Sequence, residues 1–312
     1  MEIKTPNKGT VEDFKIMRKR KPTVTLVVKR DITEPTLFRN SSDDRAETQE
    51  FGDQLHAQVN GEKFTSKERL TGLDLLRQLK ENQEVDLIHD NYTYNEPGKL
   101  SESINLDALT YGLAGTSQGD GDSFAIKSRV IEGYTYTSEE YDLMNKESRN
   151  ALYETGTMKN DDNEQAQSLF EYVKVQPGNS FIHFITLEAA TPEMLLYTVY
   201  NILNTSRYGA KETRTGRNVK NKIIGVITGD HDTALSTGEL LMEYNDSDDI
   251  VENVKDYVNS VSQDNWTTHL DELPGWLEKM QDIVKREEDE ADNKMAKAFK
   301  SVTEDAKEEL NG

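Results

Sequence analysis

Six segments of this chain carry a strand-type or helix-type apolar pattern, and their order constrains the fold more than any other feature. PTVTLVVKRD (Pro22–Asp31) is dominated by Thr, Val and Leu and reads as a buried strand. SKERLTGLDLLRQLK (Ser66–Lys80) repeats Leu70, Leu73, Leu76 and Leu79 at helical spacing, with Ser66 as its expected N-cap. FAIKSRVIEGYTYT (Phe124–Thr137) alternates as one strand, and SFIHFITLEAA (Ser180–Ala190) reads as another. TPEMLLYTVYNILNT (Thr191–Thr205) opens with Thr then Pro, an N-cap followed by a first helical position, and runs on as an amphipathic helix. KNKIIGVIT (Lys220–Thr228) closes the series as a strand. Strand, helix, strand, strand, helix, strand is the order of a split βαβ core. The fold class expected is therefore α+β, ferredoxin-like, on the scaffold that also underlies sheet-based RNA-recognition modules.

Between these segments the chain is polar. Glu34–Lys63 reads as loops or a hairpin, Glu81–Asp122 as an irregular insertion, and Asn145–Val175 as an exposed hairpin around ETGTMKNDD. Glu239–Val261 and Leu270–Lys300 read as acidic helices, in which Trp266 and Trp276 serve as packing anchors. The natural division is residues 1–238 and an acidic, mainly helical region 239–312.

Charge sharpens this picture. The 312 residues hold 37 Lys and Arg against 58 Asp and Glu, a net −21, with 34% hydrophobic residues. Such a balance approaches that of disordered chains, but the patterned segments argue for a folded one. A carboxylate-rich surface suits a salt-rich cytoplasm, where self-repulsion is screened over ~3 Å at 1 M salt. No cysteine is present, which excludes a disulfide framework and thiolate metal sites. No run of about 18 apolar residues occurs, and MEIKTPNKGTVEDF has no signal-peptide core. The expectation is a soluble, cytoplasmic protein with no membrane contact.

The acidity is uneven: Glu239–Gly312 carries a net −13, whereas two stretches are locally basic. Lys8–Arg30 holds eight Lys and Arg against Glu12 and Asp13, and Thr205–Lys222 holds six against Glu212. In the second stretch, Arg207, Lys211, Arg214, Arg217, Lys220 and Lys222 surround Gly209 and Gly216, which permit positive φ and close backbone approach. Tyr208 offers a stacking face, and Thr213 and Thr215 offer hydroxyls. Guanidinium forks, small residues and an aromatic platform are what a phosphodiester backbone requires. KIMRKRK (Lys15–Lys21), with Arg20, is either a second nucleic-acid contact or a solvated arm. Lys63, Lys67, Arg69 and Arg77 flank the first helix, and some of them face solvent there.

No catalytic constellation emerges. His56, His89, His183, His231 and His269 are scattered; His183 lies inside a strand and is expected to be packed. G-D-H-D (Gly229–Asp232) and the Asp120/Asp122 pair read as polar turns, and G-x-S-x-G, Walker and H-E-x-x-H motifs are absent.

NTSRYGAKETRTGRNVKNKIIGV, with R-Y-G-A-x-x-T-R-T-G followed by N-x-I-x-G, resembles the guide-RNA-binding backbone subunit of type I-D CRISPR–Cas interference complexes. TVTLVVKRD, KERLTGLDLLRQL, the TYG of Thr110–Gly112, RNALYETGTM (Arg149–Met158) and FIHFITLEAATPEMLLYTVYNIL agree in order, so the resemblance spans about Pro22–Thr228. It implies an RNA-recognition-like palm with an inserted finger (81–122) and a thumb hairpin (145–175). It also implies several copies polymerised along one CRISPR RNA, other subunits of the complex as partners, and target DNA engaged through the guide. Carried over by motif, Arg207, Tyr208, Lys211, Arg214 and Arg217 line the guide groove. Gly209, Gly216, Lys220, Arg20, Lys67 and Arg69 complete the expected RNA contacts. Tyr153, Gly156, Thr157 and Met158 fall on the thumb, with Met158 as an apolar wedge. The family's zinc-binding cysteines have no counterpart in HDNYTYNEPGKLSESINLDALTYG (His89–Gly112), so a metal-free finger and no cofactor are expected. A structural, non-catalytic role is the first reading. The alternative is a backbone that also cuts nucleic acid with a metal held by Asp43, Asp44, Asp120 or Asp122, and a third reading is an adaptor for an acidic protein.

Overall fold

The computed structural model describes residues 8–39, 45–96, 98–116, 123–144, 146–150, 169–210, 216–244, 249–285 and 289–311. In chain order the elements are β1 (Thr23–Ile32), β2 (Glu47–Phe51), β3 (Gln54–Asn60), α1 (Glu62–Gln83), α2 (Leu100–Ser103), α3 (Leu106–Tyr111), β4 (Leu113–Thr116) and β5 (Ser123–Ile126). Then come β6 (Val130–Glu132), β7 (Tyr134–Tyr136), β8 (Lys146–Asn150), β9 (Leu169–Val173), β10 (Ser180–Glu188), α4 (Pro192–Asn204) and β11 (Val219–Gly229). The chain ends with α5 (Thr237–Glu243), α6 (Ile250–Val261), β12 (Thr267–His269), α7 (Gly275–Lys285) and α8 (Asp289–Asn311).

The fold is mixed α+β with antiparallel sheets. A five-stranded sheet runs β12-β11-β1-β10-β6, with every neighbouring pair antiparallel. β1 lies at its centre and is buried on both faces, which explains its near-continuous apolar run. Side chains alternate between faces along a strand. Val24, Leu26 and Val28 therefore enter one cluster with residues of α1, α4, α7 and α8, while Val27 enters another with Leu240 of α5 and Val254 and Tyr257 of α6. A third cluster, with Ile32, Phe38, Phe64, Phe181, Tyr208 and Val219, gathers where the ends of these strands meet α1.

Thr191 caps α4 by accepting from the Met194 amide at 3.5 Å, with Pro192 at the first helical position. This helix is buried nearly all round rather than on one stripe, because α1, α3, α7, α8 and β11 all pack on it. Each fully buried Leu, Ile or Met there contributes about 1.5–3 kcal/mol. α1 reaches α4 at Gly72, where a Cβ would come within 2.5 Å of Asn201 Oδ1 and overlap Tyr197 Oη. Larger residues would force the two helices apart.

Three expectations need correction. α1 begins at Glu62, with Gly61 at the cap, so Ser66 lies inside the helix. Its first turn forms because Phe64 and Thr65 are buried, a tertiary gain that the local capping pattern does not carry. Phe124–Thr137 is not one strand: β5, β6 and β7 belong to three different sheets, and Gly133 stands between the last two. Glu81–Asp122 is far from wholly irregular. It contains α2, α3 and β4, and Leu87, Ile88, Tyr92, Leu106 and Leu109 belong to the main core. The acidic C-terminal stretches divide into α5 to α8; Trp276 packs on the main core and Trp266 on the cluster beneath α5 and α6.

Candidate nucleic-acid interface

α4 ends at Asn204 and β11 begins at Val219, so the cationic connection opens at the end of the sheet where Ile32 leaves β1. Asn218 ties this connection down: its Oδ1 accepts from the Tyr208 amide, and its Nδ2 donates to Tyr208 O and Thr36 Oγ1, all at 2.9 Å. The Ala210 amide donates to Leu37 O at 2.8 Å. Gly209 takes φ +78°, and a Cβ there would lie 2.6 Å from Leu37 O. Its glycine is required by this turn and its close approach to the 36–38 segment. Gly216, at φ +64°, has open space around it.

The exposed cations fall into a defined array. Arg207, Gly216, Arg217, Lys220 and Lys222 are exposed. Lys222 on β11 stands directly opposite Lys29 on β1, and Lys220 stands opposite Asp31, which pairs with Lys29. Alternation puts Lys29, Lys220 and Lys222 on the same face as Val27, beyond the part covered by α5 and α6. Two lysines directly across an antiparallel pair repel one another, a cost that a bound polyanion removes.

Behind this face lies a buried polar network that the sequence reading did not single out. Arg30, fully buried, donates to Glu68 Oε1 at 2.5 Å and to Asn221 Oδ1 at 3.0 Å, and its guanidinium lies 4.5 Å from the Phe64 ring centre. Tyr208 Oη donates to Glu68 Oε1 at 2.9 Å and accepts from Asn221 Nδ2 at 2.7 Å. Asn221 Nδ2 also donates to Ile202 O and Thr205 O, tying the end of α4 to β11. Burial disfavours charge on Arg30, but the Glu68 carboxylate outweighs it and raises its pKa. Burial, then Glu68, pushes the Tyr208 phenol well up. Burial, then Arg30, holds His183 well below its usual range, so His183 is neutral, and its Nδ1 accepts from Arg30 Nη2 at 3.4 Å.

The expected site residues divide accordingly. Tyr208 is 0% exposed, so its ring packs inside and offers no stacking face, correcting that expectation. Arg30 leaves the basic island for the same reason. The parity of β1 carried the signal, since Arg30 follows Val24, Leu26 and Val28 on the inward-facing positions. Arg69 is held by Asp107 through bonds of 2.6 and 3.2 Å and stacks 4.4 Å from the Tyr94 ring centre. Lys67 is half-buried on α1, and Arg20 is exposed on the arm before β1. The arm is fastened by Arg129 Nη2, which donates to Lys15 O at 2.5 Å while its guanidinium lies 5.1 Å from the Phe14 ring centre. Lys211, Arg214, Tyr153, Gly156, Thr157 and Met158 lie outside the described residues, as do Asp43, Asp44, Asp120 and Asp122. β8 and β9 pair antiparallel on either side of the segment containing Tyr153–Met158. Among the described residues there is no cluster of three His, Asp or Glu side chains placed to hold a metal, and no helix long and apolar enough to cross a membrane.

Comparison with known proteins gives a consistent result. The family model described as Csc2 CRISPR matches residues 22–311. The crystal structure of Thermofilum pendens Csc2 superposes with a TM-score of 0.54 at 16% identity, covering 92% of this chain and 90% of that one. A chain of a pre-nicking CRISPR RNA-guided surveillance complex gives 0.52 at 9% identity, over 84% of this chain and 99% of its own. At these identities the two structures speak for the fold. A comparison with curated protein sequences gives no match.

Proposed function

The chain belongs to the Csc2 CRISPR family, and from that premise we propose that it is the guide-RNA-binding backbone subunit of a type I-D antiviral interference complex. Several copies polymerise along one CRISPR RNA beside the other subunits. The guide's bases stay free to pair with target DNA, so base pairing reads sequence while protein reads backbone shape. The observation that carries this reading is the array of Lys29, Lys220, Lys222, Arg207 and Arg217 at one end of the sheet of a chain whose net charge is −21. Cations set against one another in so acidic a protein call for an anionic partner, and Lys211 and Arg214 in the same connection extend the argument by sequence. Arg20, Lys67 and Arg69 are secondary contacts, with Arg69 acting as a stacked plane rather than a free charge.

The strand order β11-β1-β10-β6, all antiparallel, supports a ferredoxin-like, RNA-recognition-type core. In this reading residues 1–238 form a palm with a finger at 81–122 and a thumb at 145–175 that carries Tyr153, Gly156, Thr157 and Met158. Residues 239–312 form an acidic, mainly helical region. The acidic exterior fits a salt-rich cytoplasm, where counterion release contributes less to binding and stacking and 2′-hydroxyl contacts contribute more. The role is structural rather than catalytic.

Co-production of the full chain with a repeat–spacer transcript tests the reading. Purified material should carry RNA of guide length and several protein copies per transcript. A solitary protein free of oligonucleotide would overturn it.

A further inference from the structure

Two loops at opposite ends of β10 expose apolar side chains among charges of opposite sign. Lys15–Lys21 holds five Lys and Arg and no acid, and Met17 within it is 88% exposed, next to exposed Ile16. Ser138–Met144 holds Glu139, Glu140 and Asp142 and no cation, and it ends on Met144, 86% exposed. Among the described residues, Met17 and Met144 are the two most exposed large apolar side chains. Leaving both in water costs free energy that a protein partner would recover.

Both loops are fastened. Phe14 is buried in the main core against Arg129, and the Val11 amide donates to Ala190 O at 3.0 Å. On the other side of the basic loop the Ala189 amide donates to Pro22 O at 2.8 Å, and Lys21 meets Glu188 at 3.1 Å. Its two ends are thus tied to the exit of β10, and Arg18 closes it from within by donating to Asp13. At the entry of β10 the Ser138 amide donates to Ser180 O, and the Glu139 carboxylate accepts from the Ser180 amide, both at 2.8 Å. Tyr141 is buried and donates to Val173 O at 2.8 Å, while Asp142 Oδ1 accepts from the Met144 amide at 2.8 Å. β10 has nine residues, so the two loops are held about 26 Å apart, at ~3.3 Å per residue, and do not meet within one chain.

A braced loop that presents a methionine suits an apolar protein surface, to which the flexible thioether adapts. Lys15–Lys21 contains no aromatic ring for a base to stack on. Lys19 and Glu140 take part in no ion pair among the described residues, so each keeps its charge for a partner. The basic loop fits an acidic surface with an apolar centre, and the chain itself carries one at the other end of β10. Unlike patches at opposite ends make a heterologous contact, which repeats head to tail rather than pairing two copies symmetrically.

We propose that the Ile16–Met17 loop of one copy docks on the Glu140–Met144 loop of the next, so that successive copies are joined by direct protein contact as well as by the guide. Opposite charges set the register of this contact, and the two methionines supply its apolar burial. The proposal rests on the reading above that several copies share one transcript.

The chain has no cysteine, so Met17→Cys and Met144→Cys place two thiols without competitors. The doubly substituted full chain, co-produced with a guide and treated with a short bis-maleimide, should give a ladder of linked copies. Each single variant should give none. Lys19→Glu in the doubly substituted chain should thin the ladder by roughly tenfold or more, and Glu140→Lys added to it should restore it. Equal thermal melts of these variants separate the effect from misfolding, and Arg20 is kept throughout. On a transcript long enough for one copy, Lys19→Glu should lower guide affinity far less than Lys29→Ala with Lys222→Ala. A loss as large as theirs assigns the arm to nucleic acid and overturns the proposal. Links in the Met17→Cys protein alone reveal a symmetric contact and overturn the head-to-tail arrangement. Several copies on one guide with no link between residues 17 and 144 overturn this contact and leave the RNA-binding reading standing. Wild-type protein that retains no guide overturns both.

Discussion

Tyr208 and Glu68 share a 2.9 Å hydrogen bond in the interior, between the cationic connection and the middle of α1's first half. The same carboxylate neutralises Arg30 on the central strand, so one acidic side chain fixes three elements relative to one another. The residue that looked like a platform for RNA instead braces the segment that carries the exposed cations. Removing Glu68 leaves Arg30 buried without a counter-charge, and Glu68→Ala should cost about 3–5 kcal/mol in urea unfolding. Tyr208→Phe removes only the hydroxyl and should cost about 1–2 kcal/mol.

The two glycines of the connection should respond differently. Gly209→Ala meets Leu37 O as well as an unfavourable φ, whereas Gly216→Ala meets only the φ. The cost at Gly216 should be about 1 kcal/mol, and at Gly209 clearly more. Thermal melts of the two variants compare them directly; equal losses would contradict the packing assigned to Gly209.

The opposed lysines make a prediction about salt. Lys29→Ala with Lys222→Ala removes a like-charge pair together with the surface Lys29–Asp31 ion pair, two small effects of opposite sign, so the stability of the free protein should change by less than about 1 kcal/mol. Guide affinity should fall, and the slope of log K against log salt should become shallower by about 1.4 if each lysine meets one phosphate of a single strand. An unchanged slope would remove these two residues from the interface. Arg214→Ala with Arg217→Ala should likewise weaken guide retention without unfolding the chain.

Glu132 gives a pH dependence of defined sign. Burial raises its pKa from 4.5 to about 7, against Thr65 and Arg30, which favour the charged form, and with Glu68 and Glu62, which oppose it. His183 Nε2 lies 3.9 Å from its Oε2 and carries no charge to offset it. The folded state therefore binds a proton more tightly than the unfolded one. Its carboxyl costs nothing below about pH 4.5, and the cost grows up to about pH 7, reaching on the order of 3 kcal/mol. Glu132→Gln should match wild type in denaturant melts at pH 4 and exceed it at pH 8. A constant difference across that range would refute the assignment.

Much of the architecture was legible because its signals are local. Thr191 and Pro192 announced α4 through the chemistry of one helix start, and the β-branched run of β1 announced a strand covered on both faces. The burial of His183 followed from its position inside such a run. The Phe124–Thr137 stretch misled because alternation says which side of a strand a residue takes, not which sheet the strand joins. At Ser66 the capping residue was real but idle, since burial of Phe64 began the helix a turn earlier.

Sequence by itself determined the cation-rich connection, its two glycines and the acidic surroundings, because charge and φ preference belong to single residues. Only the tertiary structure decided which cations face outward. Arg30 and Lys29 are chain neighbours, yet one is sealed against Glu68 and Phe64 while the other opposes Lys222. Strand parity turns adjacent side chains to opposite faces, and a partner 38 residues along the chain makes the inward guanidinium tolerable. Pairings over that distance are set by packing, and no local pattern of residues encodes them.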